Sequence, residues 1–416
     1  MAYQERIVDD LLASRLGAAG AVVLEGAKAC GKTETARQVA ASSALFDVEP
    51  EVQRLMQVEP QAILAGPTPR LLDEWQLAPL IWNYVRRAVD DRQAPGQFIL
   101  TGSSVPNDDH TRHSGAGRFS FLRMRPMSLF ESGHSSGGVS LAALMAGEFP
   151  RCSDVPLTIA DIANRLTVGG WPGLQSLSVA DAGQAMRDYV TQASLVDVPR
   201  VAGGSRDPER VRALMAALAR NVATEVSISV LARDSGGADE SMGRDTVRDY
   251  LDALERLMVL EPVPAWSTHL RSKATLRQAQ KRHFVDPSLA VAALDASPKR
   301  LAGDLEFLGL LFESMVIRDL RVLAEPLNGQ LRHYRDSYGL EVDSVVQLND
   351  GRWAAFEIKL GHGRIDEGAA NLLRFAGTVD TSRIGEPQML GVITSTGYGY
   401  RRPDGVAVIP IGALGP

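Results

Sequence analysis

The run Gly26, Ala27, Lys28, Ala29, Cys30, Gly31, Lys32, Thr33 has the spacing of a phosphate cradle. In a G-x-x-x-x-G-K-[ST] loop, successive backbone N–H groups turn inward around phosphate, and the helix that follows adds the partial positive charge of its N-terminus. Lys32 would neutralise the β- and γ-phosphates of ATP, and the Thr33 hydroxyl would complete the shell of a Mg2+ ion. Two adjacent acids follow a short apolar run, Arg70 to Leu72. Asp73 would hold the Mg2+ and Glu74 would polarise the attacking water as general base. The turn Thr101 to Ser104 supplies two more groups, the hydroxyls of Thr101 and Ser103, suited to the γ-phosphate or the lytic water. Arg118 and Arg125 are candidates for an arginine that stabilises the γ-phosphate in the transition state, with surface or ion-pairing use as the alternative for each.

A second constellation lies near the far end. Glu357 and Lys359 are two apart in an apolar run, so on a strand both project from one face. Asp343 belongs to the run before it and Glu313 to a helical stretch, Phe307 to Leu323. Asp343, Glu357 and Glu313 offer hard oxygen donors for Mg2+, and Lys359 could orient or deprotonate a water beside a scissile phosphate. This needs Asp343 opposite Glu357, which requires an odd hairpin loop, Asn349 to Gly351 with Gly351 left-handed. The alternative is a salt-bridged surface hairpin with no chemistry.

The elements that must carry these groups can be read from periodicity. Ala21 to Leu24 is a strand leading into the loop, and a helix runs from the loop to about Ala41. Further strands are expected at Ala44 to Val48, Arg70 to Leu72 and Gln97 to Leu100, so the acids and hydroxyls sit where an open α/β sheet places its ligands. Gly133 to Gly138 reads as a local linker. Val168 to Gly173 reads as a rigid Gly/Pro turn, and helices are expected at Ala180 to Val198 and Pro208 to Val222. Two more helices, Ile228 to Ala232 and Thr246 to Leu257, precede a strand-like Val259 to Trp266, the order of a winged helix. The run Arg271 to Arg282 is basic without an acid and reads as a solvated arm.

The whole chain has 416 residues, which implies two or three domains. Its 44 Lys plus Arg against 50 Asp plus Glu exclude a surface built for non-specific nucleic-acid binding. Two cysteines are too few for a disulfide framework. With no long apolar run and a charged beginning, a cytoplasmic protein without membrane contact is expected.

Arg6-Ile7-Val8, the loop at 26–33, Leu71 to Gln76, Leu100 to Ser104, Gly115 to Arg118 and Arg125 to Glu131 together resemble the bacterial and archaeal ATPases that join an AAA-type P-loop domain to a C-terminal domain of unknown function. Glu341-Val342-Asp343 and Glu357-Ile358-Lys359 are similar to the core of the restriction-endonuclease-like fold. The resemblance implies an α/β chain in three parts: an AAA-type P-loop ATPase domain at 1–150, a helical and winged-helix domain at 151–300, and an α/β restriction-endonuclease-like domain at 301–416. It implies ATP binding and hydrolysis with Mg2+, coupled either to an action on DNA through the last domain or to a protein partner, with that domain inert. A second copy of the chain is the remaining partner expected.

Overall fold

The computed structural model describes residues 3–104, 114–155, 157–202, 207–236, 241–267 and 279–416. The first sheet has five strands, β1 (Ala21–Glu25), β2 (Ser42–Leu45), β3 (Arg70–Asp73), β4 (Phe98–Gly102) and β5 (Phe119–Arg123), in the order β2-β3-β4-β1-β5 and parallel throughout. Parallel strands at the centre of a sheet are buried on both faces, which is why β1 and β4 are mostly apolar, whereas the edge strands β2 and β5 carry Ser and Arg. Val22 and Leu24 face one core, Ala21 and Val23 the other.

The remaining strands are β6 (Val139–Ser140), β7 (Cys152–Val155), β8 (Gln330–Arg335), β9 (Glu341–Gln347), β10 (Trp353–Lys359), β11 (Met389–Thr394), β12 (Gly397–Arg401), β13 (Ala407–Pro410) and β14 (Leu414–Gly415). Seven of them form a mixed sheet, β7-β12-β13-β11-β10-β9-β8, while β6 pairs with β14. Residues 139–155 therefore pass to the C-terminal sheet before the chain enters its helical middle. There β7 covers what would be an open edge.

The middle contains helices Ile159–Val168, Val179–Gln192, Pro208–Arg220, Ile228–Asp234 and Arg244–Arg256. The single helix expected at Ala180 to Val198 is instead interrupted by a π-helical turn, Ala193–Asp197, before a short helix Val198–Ala202. The strand expected at Val259 to Trp266 is replaced by isolated bridges, Leu260 to Phe284, Val263 to Lys281 and Ala265 to His333. Most of the basic arm, residues 271–278, lies outside the described residues. Its end does not match the solvated reading, because the bridge to Val263 turns Lys281 inward, where it is 2 % exposed. Among the described residues no helix is long and apolar enough to cross a membrane.

One strap, Arg123 to Glu131, touches all three parts. Met124 N–H donates to Glu25 O (2.7 Å), Met127 N–H to Gly170 O (2.6 Å), and Leu129 N–H to the Asp319 carboxylate (3.0 Å). A Cβ on Gly26 would lie 2.1 Å from Met124 O, and one on Gly170 2.1 Å from Met127 O, so both close approaches require glycine. The turn at 169–173 is held from behind by the buried Asp286, which accepts from Gly170 N–H (2.9 Å) and from Arg318 (2.8 Å). Arg125 forks onto Glu261 (2.7 and 3.0 Å) and reaches Glu325 (3.0 Å), while Arg321 lies 3.6 Å from Glu261. Burial would raise the Glu261 carboxyl, but Arg125 and Arg321 outweigh it and hold it far below the usual carboxylate range.

A depressed carboxylate stabilises the fold above its unfolded pKa, near 4.5 for Glu261, and that contribution is lost as pH falls below it. Glu261→Gln should lower the unfolding free energy at neutral pH by about 3–5 kcal/mol, since it takes the carboxylate from the buried Arg321 and leaves Arg125 with Glu325 alone. It should also flatten the acid limb of stability below pH 4.5. Urea melts of both proteins from pH 7 to pH 3 check this, and parallel acid limbs would remove Glu261 from the junction's energetics.

Candidate functional site

The C-terminal edge of the first sheet gathers the predicted groups. Asp73 ends β3 in register with Thr101 on β4, and Thr101 is in register with Leu24 of β1. Asp73 therefore lies beside the start of the loop. Its Oδ1 accepts from Thr33 Oγ1 (2.9 Å) and from the Thr101 hydroxyl. The loop turns with Ala29 and Gly31 at positive φ, 61° and 109°, and helix Lys32–Val39 starts directly from it. Lys32 is buried and donates to the carbonyls of Gly26 and Ala27, both at 2.8 Å. An ammonium held across the mouth of the loop by two neutral acceptors is a poised partner for phosphate.

Glu74 adopts a left-handed backbone, φ 56° and ψ 39°, a strained conformation for a residue with a side chain. That turn brings its carboxylate off the strand end, where Gln76 Nε2 donates to it and Ser103 Oγ stands 3.4 Å away. Lys32, Thr33, Glu74 and Ser103 line an open cleft of about 890 Å³. Cys30 is buried behind the loop, its thiol 3.6 Å from Met124 O, so it is a packing residue.

The opposite wall of the cleft comes from the helical middle, and the sequence reading missed it. Asp197, Arg200 and Arg256 all face the loop across the cleft. Lys28 Nζ meets Asp197 at 2.5 Å, and Tyr189 OH stands 3.4 Å from Lys28 O. Arg200 is exposed, and Arg256 is steadied by Val201 O at 3.1 Å. The signal that could have pointed here is the mixed polar and apolar run Ser194 to Val201, which breaks helical periodicity where the π turn forms.

Neither predicted arginine reaches this cleft. Arg118 lies at the other end of β1, where its carbonyl accepts from Ala21 N–H (3.2 Å) and its guanidinium pairs with Asp90 (2.8 Å). Four strand steps at ~3.3 Å put it roughly 13 Å from the loop. Arg125 is consumed by Glu261 and Glu325. Both therefore take the ion-pairing alternative within this chain.

The C-terminal hairpin has the expected odd loop. Trp353 pairs with Gln347 and Phe356 with Ser344, which carries on to place Asp343 opposite Glu357, and Gly351 is left-handed at φ 94°. Asp343, Glu357 and Lys359 share one face beside a cavity of about 520 Å³. Lys359 Nζ lies 2.5 Å from Glu357 and 3.7 Å from Asp343. Asn371 donates to Glu357 at 2.7 Å. Glu313 joins from helix Leu305–Ala324 through Lys281, whose Nζ is 2.9 Å from Glu313, 2.9 Å from Glu341 and 3.4 Å from Asp343. Burial and the neighbouring Asp343 raise the Glu313 carboxyl to about 8 and the Glu357 carboxyl to about 7.

The two expected Mg2+ sites fare differently. Thr33 opens onto the cleft and Asp73 is hydrogen-bonded directly behind it, a pair of hard oxygen donors that fits Mg2+. At Asp343, Glu357 and Glu313 the set does not fit, because ammonium groups stand between the carboxylates. Among the described residues no three His, Cys, Asp or Glu side chains converge as metal ligands. The four predicted residues are brought together, but as ion pairs.

Residues 18–132 match the family described as AAA domain, residues 159–300 a domain of unknown function (DUF8612), and residues 308–414 a domain of unknown function (DUF4143). No curated protein matches the chain. Among solved structures, a Walker-type ATPase of Pyrococcus abyssi is similar at 15% identity and a TM-score of 0.41, over 68% of this chain and 94% of that one, a likeness too slight to speak to function. The loop and acids on the edge of the parallel sheet thus lie in the region similar to the AAA domain family, and strands β8–β13 in the region similar to the DUF4143 family.

Proposed function

We propose that the chain is a cytoplasmic ATP-binding ATPase that uses Mg2+ and whose hydrolysis acts as a conformational switch. The observation that carries this reading is the convergence of Lys32, Thr33 and Glu74, with Asp73 hydrogen-bonded to Thr33, on one cleft whose far wall belongs to the helical middle. Lys32 exchanges the carbonyls of Gly26 and Ala27 for the β- and γ-phosphates. Thr33 and Asp73 would hold Mg2+, which when bound would supply positive charge to the phosphate oxygens. Glu74 accepts a proton from the attacking water, oriented by Gln76 and the Ser103 hydroxyl, and Thr101 keeps Asp73 in place. Arg200 and Arg256 close on the phosphates from the middle, so the nucleotide bridges the two walls.

A second reading, coupling to an action on DNA, rests on Asp343, Glu357 and Lys359 sharing one face. Against it, from Leu301 onward 11 Lys plus Arg stand against 15 Asp plus Glu, a field that repels phosphate. Partner binding through a movable middle suits the switch better. Steady-state ATPase with and without duplex or single-stranded DNA, at two salt concentrations, separates the readings: stimulation that fades with salt supports DNA, and unchanged basal turnover supports the switch.

Lys32→Ala should abolish detectable nucleotide binding by calorimetry. Glu74→Gln should keep ATP binding while kcat drops about 10²–10⁴-fold, since the base is lost and the phosphate contacts remain. Normal turnover in Glu74→Gln would move the base elsewhere. Arg200→Ala should weaken kcat/KM for ATP by about 10–100-fold, the worth of one or two charged hydrogen bonds; an unchanged value would leave the middle out of nucleotide contact.

A further inference from the structure

The acid cluster of the C-terminal part is where the family resemblance and the structure part company. Four carboxyl groups, Glu313, Glu341, Asp343 and Glu357, come from a helix and two strands, and three of them, Glu313, Asp343 and Glu357, are those expected to take up Mg2+. Lys281 reaches into it from outside the sheet. Its backbone is fixed by reciprocal hydrogen bonds with Val263, at 2.8 and 3.0 Å, so its direction is set by the chain path. An ammonium has three N–H donors and no acceptor, and Lys281 meets three carboxylates at 2.9, 2.9 and 3.4 Å. Every donor has a carboxyl partner. Lys359 performs the same service for Glu357 and Asp343 from the other side.

We propose that Lys281 is a built-in counter-ion that takes the place of a divalent cation in this cluster, so the DUF4143 part holds its acids together without metal. A divalent ion bound by Glu313 and Asp343 needs their oxygens at about 2.0–2.6 Å. Those same oxygens are engaged by the ammonium, and an ion beside it would face a like charge inside a buried site. Lys281 is retained as ammonium there, since burial opposes its charge but the three carboxylates outweigh that cost. This inference is independent of the nucleotide reading, because none of its residues lines the cleft at the P-loop.

Mn2+ titration of the nucleotide-free full chain, followed by the loss of the free-ion electron paramagnetic resonance signal, tests it. The parent protein and Asp343→Asn should bind the same number of Mn2+ ions, because the cluster takes none in either. Lys281→Met should bind one more per chain than the parent, and Lys281→Met with Asp343→Asn should lose that extra ion. A parent protein whose bound Mn2+ falls by one in Asp343→Asn would overturn the proposal. So would a folded Lys281→Met that gains nothing. If Lys281→Met fails to fold, the comparison of parent with Asp343→Asn decides alone.

Discussion

The structure depends on how closely the strap Arg123 to Glu131 is gripped from several sides at once. Its backbone N–H groups are committed to the first sheet at Glu25, to the middle at Gly170 and to the C-terminal helix at Asp319. A buried strap that left these groups unpaired would lose about 1–3 kcal/mol for each. Pairing them forces near contact of backbones, which is why Gly26 and Gly170 admit no side chain. Arg6 adds a further clamp, donating to Cys30 O at 2.9 Å and Arg125 O at 2.8 Å while its Nε meets Glu131 at 3.0 Å. The phosphate loop is thus backed by the segment that anchors the other two parts.

That arrangement gives physical content to short motifs whose chemistry is otherwise obscure. The Gly-Gly-Trp-Pro-Gly turn has no reactive group, yet Gly170 is the contact point for Met127, and Trp171 donates its indole N–H to Ser288 (2.9 Å). Asp286, whose place before Pro287 suggests only a turn, is fully buried and joins this turn to Arg318. Arg125 belongs to the same system. Its guanidinium looks like a phosphate ligand in the sequence because arginine serves both uses equally well, and only the position of Glu261 and Glu325, 136 and 200 residues away, distinguishes them.

What could be read in advance was local. The loop, the two acids at the end of β3 and the hydroxyl turn after β4 follow from strand-then-helix order, since a parallel sheet brings successive strand ends to one edge. The odd hairpin loop before Trp353 followed from the need to align two side chains on one face. Of the far wall only the broken periodicity of Ser194 to Val201 was readable. Asp197, Arg200 and Arg256 meet the loop only through packing of distant helices, and a π turn shifts the register that periodicity assumes. Lys281 was misread for a related reason: a run of basic residues looks solvated unless something beyond the run pulls one of them inward. Here Glu313, Glu341 and Asp343, all more than 30 residues later, do so.

The strengths of these contacts say which of them can change. The strap is held by backbone hydrogen bonds and by ion pairs with almost no solvent, and breaking one partner of such a pair costs about 3–5 kcal/mol. Across the cleft the direct side-chain tie between loop and middle is Lys28 to Asp197, with the Lys28 side chain 43% exposed. Its Lys28 end is open to solvent although Asp197 is buried, and a pair solvated at one end is weaker than one with both ends buried. A ligand that binds two walls need only offset the weaker tie to move one of them, and its differential affinity limits how far the balance shifts. Lys28 to Asp197 is therefore the weaker tie, and Arg125, Glu261 and the strap are the stronger frame beside it.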